Sequence, residues 1–357
     1  MGFKECCSTF VAGLPDPAVP FLPSLLLGTF FAALFLVIVY KRQTNKPYRE
    51  IAFDVGKMLV YALPSHEETD TKGLSACKNP SCVRCQNYKE LSIQLISRYA
   101  DMKIRNVRLT SRVEEAIKSV KENVSHNKHM DSDPKLVEST RKLKKRRSSY
   151  QNPTVFYMDL AANAFWNDFN VYVPEVELLK LNFKIILEEF QDVFESLQSG
   201  SSHGWKLNDI ANGHWCIYPF IDQGVAVERN CRKCPNTATM LGSLPSVMRD
   251  CVFGNACFSI LYPDSHIEPH HGPTNLRLRC HLGLKIPDGC FLEVGGEQRK
   301  WEVKETIIFD DSFEHSATFK NNHSSLQSLP RAILMVDFWH PDISGDEKKV
   351  LMELLAP

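Results

Sequence analysis

The sequence predicts a mainly β protein with flanking helices, in which a double-sheet jelly roll or a related β-barrel follows one transmembrane helix. Three observations support this prediction. Residues 19–40 contain no charged side chain, and one amphipathic helical stripe follows Pro174. Beyond that stripe, short strand-like runs recur at close spacing, separated by Gly, Pro, Asn and Asp.

The uncharged stretch at residues 19–40 is long enough to cross a hydrocarbon core of roughly 30 Å. We predict an uncleaved signal-anchor helix that follows a short tail, residues 1–18. The alternatives are a cleaved signal peptide and a buried core helix. The first is disfavoured because no small-residue cleavage site follows, and the second because soluble helices rarely stay uncharged for this length.

The side of the membrane is left open by the residues themselves. Four basic residues lie within 41–49 and only Lys4 precedes the span, which favours a cytosolic C-terminal body. Two glycosylation sequons, at Asn123 and Asn322, would be used only in a secretory lumen. Lys+Arg and Asp+Glu both number 42, so the overall charge indicates no nucleic-acid partner.

Residues 41–150 are polar and charged, and we predict a stalk with short helices near 91–96 and 113–117. The stalk ends in a basic run at 141–147, which is typical of a solvated segment, with lipid contact or processing as alternatives. Dense apolar and aromatic residues follow, so the jelly-roll domain is assigned to 151–345 and a C-terminal tail to 346–357.

Within this domain, apolar residues at steps of three and four predict a core-packing helix over 176–197. The strand-like runs are residues 214–221, 256–262, 277–284, 289–294, 305–309 and 331–338. In the third run, period two places Arg277, Arg279 and His281 on one face. If that face lines the barrel, an anionic ligand must offset its charge; if it points to solvent, the pattern carries no function.

Histidines that follow two of these runs are candidate metal ligands. One arrangement is a triad of His266, Glu268 and His315, the pattern of non-haem iron oxygenases. The other is His270 with His315, where Gly272 stands in place of a carboxylate. Surface histidines are the third alternative. Arg331, which opens the last strand, is either a surface residue or a bidentate partner for a dicarboxylate such as 2-oxoglutarate.

Three motifs are identified as those of a known family. They are His270-x-Gly272-Pro-Thr-Asn-Leu-Arg-Leu-Arg-x-His281-Leu-Gly-Leu, Asp310-Asp-Ser-Phe-x-His315 and Val336-Asp-x-Trp-His-Pro341. Together they closely resemble the aspartyl/asparaginyl β-hydroxylases, and residues 230–235 and 252–257 resemble the membrane-anchored aspartate β-hydroxylase domain-containing proteins. The resemblance covers about residues 153–340, roughly half of the chain.

This resemblance implies a double-stranded β-helix (cupin-like jelly roll) that uses Fe(II), 2-oxoglutarate and O2. It implies that His270 and His315 are the iron ligands, with no carboxylate ligand. Arg331, Ser259 and His281 would bind 2-oxoglutarate, with Trp215 as a wall of that pocket. Arg277 and Arg279 would bind the substrate carboxylate, and Asp311 would be the acid that orders water at the metal. His266 and Glu268 become rim residues.

The activity implied is hydroxylation of the β-carbon of Asp or Asn in protein substrates such as EGF-like domains. The resemblance also favours a single-pass protein of the endoplasmic reticulum or secretory pathway with a lumenal catalytic body. Two departures affect the substrate: a longer Ser- and Asn-rich loop at 316–330, and no tetratricopeptide-like region. A catalytically silent membrane-anchored binding module with the same fold is therefore the alternative function.

Two Cys-x-x-Cys pairs, Cys82/Cys85 and Cys231/Cys234, are candidates for one structural zinc site between stalk and domain. Disulfides and free thiols are the alternatives. A zinc site here would suit a third function, that of a zinc-stabilised adaptor.

Overall fold

The computed structural model describes residues 88–126, 150–167, 170–208, 210–320 and 329–357. All of these except Gln198–Gly200 belong to one compact unit. The predicted span 19–40, the basic run, Cys82, Cys85 and Asn322 lie outside the described residues. Within the described ranges, no helix is both long and apolar enough to cross a membrane.

Seven helices are described. They are α1 (Tyr88–Ile104), α2 (Ser111–His126), α3 (Val173–Leu181), α4 (Phe183–Gln198), α5 (Glu228–Lys233), α6 (Pro235–Ser243) and α7 (Gly345–Leu354). The single helix predicted over 176–197 is divided between α3 and α4 at Asn182, whose side-chain amide donates to the Leu178 carbonyl at 2.8 Å. An amide that competes for a helical carbonyl in this way favours a local break.

The strands are β1 (Lys206–Asn208), β2 (Trp215–Asp222), β3 (Val225–Ala226), β4 (Ala256–Leu261), β5 (Ser265–His270), β6 (Arg277–Lys285), β7 (Cys290–Val294), β8 (Glu297–Lys300), β9 (Thr306–Phe309), β10 (His315–Phe319) and β11 (Arg331–Trp339). All six predicted runs are confirmed to within one residue at each end. The large sheet has the order β1-β2-β4-β11-β6-β9 with β3 beside β2, and the small sheet has the order β5-β10-β7-β8.

The two sheets share one hydrophobic cluster, to which the large sheet contributes Leu261 and Ile333 and the small sheet Leu292 and Phe319. They therefore face each other, as a jelly roll requires. The far face of the large sheet is also covered, since Phe190 of α4 packs edge-on against Phe258 with ring centroids 5.3 Å apart. The central strands β2, β4, β6 and β11 are buried along almost their whole length, so neither face of β6 is open to solvent.

The alternative in which the charged face of β6 points to solvent is therefore wrong. Arg277 is 2% exposed and Arg279 is 8% exposed. The leucines that alternate with them are also buried, because the helices cover that side. Charge on the inner face of β6 must be compensated inside the protein.

Part of the segment predicted as a stalk is packed onto the domain. Met102 of α1 and Ile117 of α2 lie in one hydrophobic cluster with Leu276, Trp339 and Leu351. A polar average over residues 41–150 conceals this, because only one face of each helix is apolar. The predicted boundary near residue 150 does not separate these two helices from the jelly roll.

Arginines of the helix pair bind the C-terminal helix α7. Arg112 donates to both oxygens of Glu347, from Nε at 2.9 Å and from Nη2 at 2.6 Å. Arg98 donates to the Ala356 carbonyl at 2.7 Å, just beyond the end of α7. The hydrogen bonds from Arg112 are the largest cause that lowers the pKa of Glu347 from 4.5 to about 2, although burial opposes the shift.

We predict that Arg112→Gln lowers the free energy of unfolding by about 2 kcal/mol at neutral pH, because two charge-assisted hydrogen bonds are lost. A carboxylate whose pKa is depressed on folding stabilises the protein above its unfolded pKa. The deficit should therefore shrink as the pH falls from 4.5 to about 2. Chemical denaturation at several pH values measures it. Arg108→Gln, at an exposed position, is the matched control, and an equal loss there would contradict the prediction.

Candidate active site

His270 and His315 lie directly opposite each other on β5 and β10. Their ring centroids are 4.1 Å apart. Each Nδ1 donates to the carbonyl two residues earlier, that of Glu268 at 2.8 Å and that of Phe313 at 2.9 Å. A carbonyl accepts only, so the lone pair of each neutral ring lies on Nε2, the arrangement typical of paired metal ligands.

A β-bulge turns His270 toward the interior. His270 pairs with His315, whereas Ile267 pairs with Ala317, so β5 has one more residue than β10 between the two pairs. The extra residue reverses the alternation of side chains. His270 therefore shares the face of buried Ile267, and Pro269, which has no N–H to leave unpaired, lies within the bulge.

The same bulge leaves His266 and Glu268 on the opposite face. His266 Nδ1 lies 2.9 Å from the Thr318 hydroxyl, and its Nε2 lies 3.5 Å from the Glu268 carboxylate. Both side chains are partly exposed. Among the described residues, no set of three His, Cys, Asp or Glu side chains is placed to bind a metal. The structure thus brings the two-histidine arrangement together and does not assemble the triad.

The absence of a side chain at Gly272 leaves space for Asp311 beside the histidine pair. A Cβ at Gly272 would lie 2.7 Å from the Asp311 carboxylate and 2.8 Å from its carbonyl oxygen. The Gly272 N–H donates to that carbonyl at 2.6 Å. Any larger side chain would displace Asp311, so a carboxylate at position 272 is excluded by space.

Asp310 shapes the turn that leads to His315. One of its oxygens accepts from the Ser312 N–H at 2.9 Å and from the Ser312 hydroxyl at 2.6 Å, and the other accepts from Gln151 at 2.9 Å. Burial raises the pKa of Asp310 to about 7. The hydrogen bonds fix the chain direction before β10.

Arg277 and Arg279 are paired with two buried aspartates. Arg277 Nη2 lies 2.5 Å from Asp311, and Arg279 Nε lies 2.8 Å from Asp337. Two cross-contacts of 3.2 Å, Arg277 to Asp337 and Arg279 to Asp311, close the network. Burial would raise the pKa of Asp311, but the two guanidiniums lower it below its usual range. The predicted contact of these arginines with a substrate carboxylate stays a prediction.

Arg331 differs, because its charge has no described partner. It is 2% exposed, and its Nε and Nη1 have no hydrogen-bond acceptor among the described residues. Its guanidinium lies over the Trp301 ring at 4.8 Å. Burial lowers the pKa of Arg331 to about 10. A buried cation of this kind is the expected anchor for an anionic ligand.

Further donors accompany Arg331. Trp301 Nε1 donates to His281 Nδ1 at 3.2 Å, and His281 Nε2 is buried without a partner in the described structure. Ser259, which is 3% exposed, accepts from Trp215 Nε1 at 3.0 Å. Strand register places the Ser259 and Arg331 side chains on the same inner face of the large sheet.

Burial also decides the protonation of two of these histidines. It lowers the pKa of His315 well below 6.5, and the neighbouring His270 adds to the effect. Burial and Arg331 likewise lower the pKa of His281. Neutral imidazoles are required of metal ligands. The donor set therefore fits a divalent metal at the histidine pair and a carboxylate ligand at Arg331.

Cys231 and Cys234 are free thiols. Their sulfurs lie 3.5 Å from the Phe220 carbonyl and 3.9 Å from the Glu189 carbonyl. Burial raises the pKa of Cys234 to about 12, which favours the protonated thiol. The predicted zinc site with Cys82 and Cys85 lies partly outside the described residues and stays a prediction.

Two residues of this site were not singled out from the sequence. Asp337 lies inside a quoted motif, and its position opposite Arg279 on β11 would have indicated the ion pair if strand pairing had been known. Trp301 lies outside every motif and every predicted strand. Only the tertiary structure brings it to Arg331.

Comparison with known proteins gives consistent results. A family profile described as aspartyl/asparaginyl beta-hydroxylase matches residues 180–341. The aspartate beta-hydroxylase domain-containing protein 2 of Mus musculus is 38% identical, covering 100% of this chain and 95% of that protein. The human aspartyl/asparaginyl beta-hydroxylase is 35% identical over 54% of this chain and 24% of its own length.

Among solved structures, a prolyl-4-hydroxylase from Pseudomonas putida is 15% identical, with a TM-score of 0.26 over 46% of this chain and 87% of that chain. A likeness this low adds nothing to the description of the site.

We predict that Gly272→Ala lowers metal affinity about 10- to 100-fold, the range expected when groups around a metal site are displaced. The added methyl must move Asp311, and with it the segment that carries His315. Titration with Co(II) or Mn(II), followed spectroscopically, measures the affinity. Gly242→Ala is the matched control because a Cβ there meets nothing within 4 Å. Equal affinity in both variants would contradict the prediction.

Proposed function

This chain belongs to the aspartyl/asparaginyl β-hydroxylase family, and on that premise we propose that it is an Fe(II)- and 2-oxoglutarate-dependent dioxygenase. Its substrates would be Asp or Asn residues of proteins, hydroxylated at the β-carbon. EGF-like domains are the substrate class that the family resemblance suggests. The names of the relatives support hydroxylation of aspartyl or asparaginyl residues.

The observation that carries the proposal is the uncompensated charge of Arg331. An unpaired charge in a protein interior costs several kcal/mol, and a carboxylate with two oxygens matches the fork of a guanidinium. The N–H of His281 and the hydroxyl of Ser259 add neutral donors to the pocket. Donors without acceptors on one inner surface favour a carboxylate ligand.

His270 and His315 would bind Fe(II) through Nε2. When bound, the iron with 2-oxoglutarate and O2 supplies oxidation of a substrate C–H bond, with succinate and carbon dioxide as co-products. The chain's own contribution is position and electrostatics. The Nδ1 hydrogen bonds orient both rings, and Asp311, held ionised by Arg277 and Arg279, would order water at the metal.

Arg277 and Arg279 are proposed to face the substrate carboxylate. Their ion pairs orient both guanidiniums before a substrate arrives. Such preorganisation lowers the cost of binding. The predicted loop at 316–330 begins later than expected, because residues 316–319 belong to β10. The segment that follows β10 is proposed to shape the mouth of the pocket, and residues 321–328 of it lie outside the described structure.

We predict that the full chain converts 2-oxoglutarate to succinate with Fe(II) and that His315→Ala reduces this to the background rate. His203→Ala, at an exposed position, should change nothing. Arg331→Lys should raise the KM for 2-oxoglutarate about tenfold, because the bidentate pair is lost. Arg108→Lys is its control.

Equal succinate formation by the wild type and His315→Ala would overturn the enzyme assignment. The chain would then be a binding module with the same fold, or a zinc-stabilised adaptor if stoichiometric zinc is present and lost on Cys231→Ser.

We further propose a single-pass protein of the endoplasmic reticulum or secretory pathway with its C-terminal body in the lumen. Asn123, a predicted acceptor, is exposed on α2. In cells, the wild type should therefore show a glycosidase-sensitive mass shift that Asn123→Gln reduces. Asn106→Gln, outside any sequon, is the control. A wild type without any shift would favour the cytosolic orientation that the flanking charges indicate.

A further inference from the structure

Trp301 is the residue that joins the two parts of the proposed cosubstrate pocket. Its indole N–H donates to His281 Nδ1 at 3.2 Å, and the two rings are stacked with centroids 6.0 Å apart. The Arg331 guanidinium lies over the same indole at 4.8 Å. The side chain is 3% exposed. One buried indole thus contacts both groups that face the pocket without a partner.

The backbone beside Trp301 reaches β6 through a close approach at Gly283. A Cβ at Gly283 would collide with the carbonyl oxygen of Glu302. Two hydrogen bonds hold the segment there: Gly283 N–H donates to Glu305 at 3.0 Å, and Lys304 N–H donates to Gly283 at 2.8 Å. Gly283 is two residues from His281 on the same face of β6. The tryptophan is therefore placed by the sheet itself.

The direction of the indole hydrogen bond has a chemical consequence. An indole nitrogen donates and cannot accept, so His281 Nδ1 must carry a lone pair. In a neutral imidazole the proton then lies on Nε2, which is buried and has no acceptor among the described residues. We propose that Trp301 is a positioning residue that fixes this tautomer, so that His281 Nε2 and Arg331 together present donors to a carboxylate of 2-oxoglutarate.

A second tryptophan shows the same logic. Trp215 Nε1 donates to the Ser259 hydroxyl at 3.0 Å. This bond occupies an acceptor position of the oxygen and leaves the hydroxyl hydrogen for another partner. In both pairs an indole N–H donates to a group that can either donate or accept, so the hydrogen of that group is left for a ligand. The pocket consequently offers donors to an anion, and it would disfavour ligands whose own donors need an acceptor from the protein.

The inference rests on the proposed cosubstrate, but its first test does not. The full chain is labelled with 15N-histidine, loaded with Zn(II) in place of iron, and its imidazole nitrogens are recorded by NMR without 2-oxoglutarate. The His281 signals are identified by their loss in His281→Gln. We expect protonated Nε2 and unprotonated Nδ1. The opposite tautomer in the wild type overturns the inference whether or not the chain is an enzyme.

The second test is Trp301→Phe, which keeps an aromatic face for Arg331 and removes only the N–H. We expect a mixture of His281 tautomers and an affinity for 2-oxoglutarate about fivefold to tenfold lower by calorimetry, the size of one hydrogen bond. Because His281 would bind the cosubstrate and not the reacting atoms, the KM for 2-oxoglutarate should rise while kcat stays nearly unchanged.

Trp205→Phe is the matched control, because this substitution also removes one indole hydrogen bond. In the wild type, Trp205 Nε1 donates to the Val193 carbonyl at 3.2 Å. Its His281 tautomer and 2-oxoglutarate affinity should equal those of the wild type. An equal loss of affinity in both variants, or a wild-type tautomer in Trp301→Phe, overturns the inference. If the wild type fails to bind 2-oxoglutarate yet shows the expected tautomer, the cosubstrate proposal fails and the positioning role of Trp301 stands.

Discussion

Two arginines and two aspartates, all buried, connect the strands on which the candidate site is built. Arg277 and Arg279 come from β6, which also carries His281, and Asp337 comes from β11, which also carries Arg331. Asp311 lies in the turn before His315 and contacts Gly272, two residues after His270. Breaking a buried pair leaves an uncompensated charge, which costs about 3–5 kcal/mol. The network therefore holds the segments of His270 and His315 and the surroundings of Arg331 in one geometry.

Most charges of the site are compensated by other residues of the chain, but the described residues leave the charge of Arg331 unpaired. The four-residue network contains equal numbers of acidic and basic groups. Arg331, on the same inner face, has no hydrogen-bond acceptor for Nε or Nη1 among the described residues. A protein keeps such a charge at a cost in stability when a ligand offsets it. The surroundings of Arg331 are thus the part of the barrel where the proposed carboxylate ligand would compensate a charge that the described residues leave unpaired.

The N-terminal helices extend the domain beyond the jelly roll. The cluster beneath them includes Leu276, which precedes Arg277 in the chain. It also includes Trp339, which pairs with Arg277 across β11 and β6. The helix pair consequently supports the strands of the ion network from behind. Because the predicted membrane span lies N-terminal to these helices, they are also the described segment nearest to that span in sequence.

The sequence by itself determined the mainly β architecture, because alternating and apolar runs bounded by turn residues are local signals. Its motifs also indicated the histidines and the family, and the last strand-like run indicated Arg331. It could not determine which way those side chains face. Strict alternation would have placed His266, Glu268 and His270 together, and one bulge at Pro269 separates them. Nor could it find Trp301, the pairing of Asp337 or the docking of α1 and α2. Each of these depends on contacts between residues far apart in the chain, which no local pattern records, and only the tertiary structure decides them.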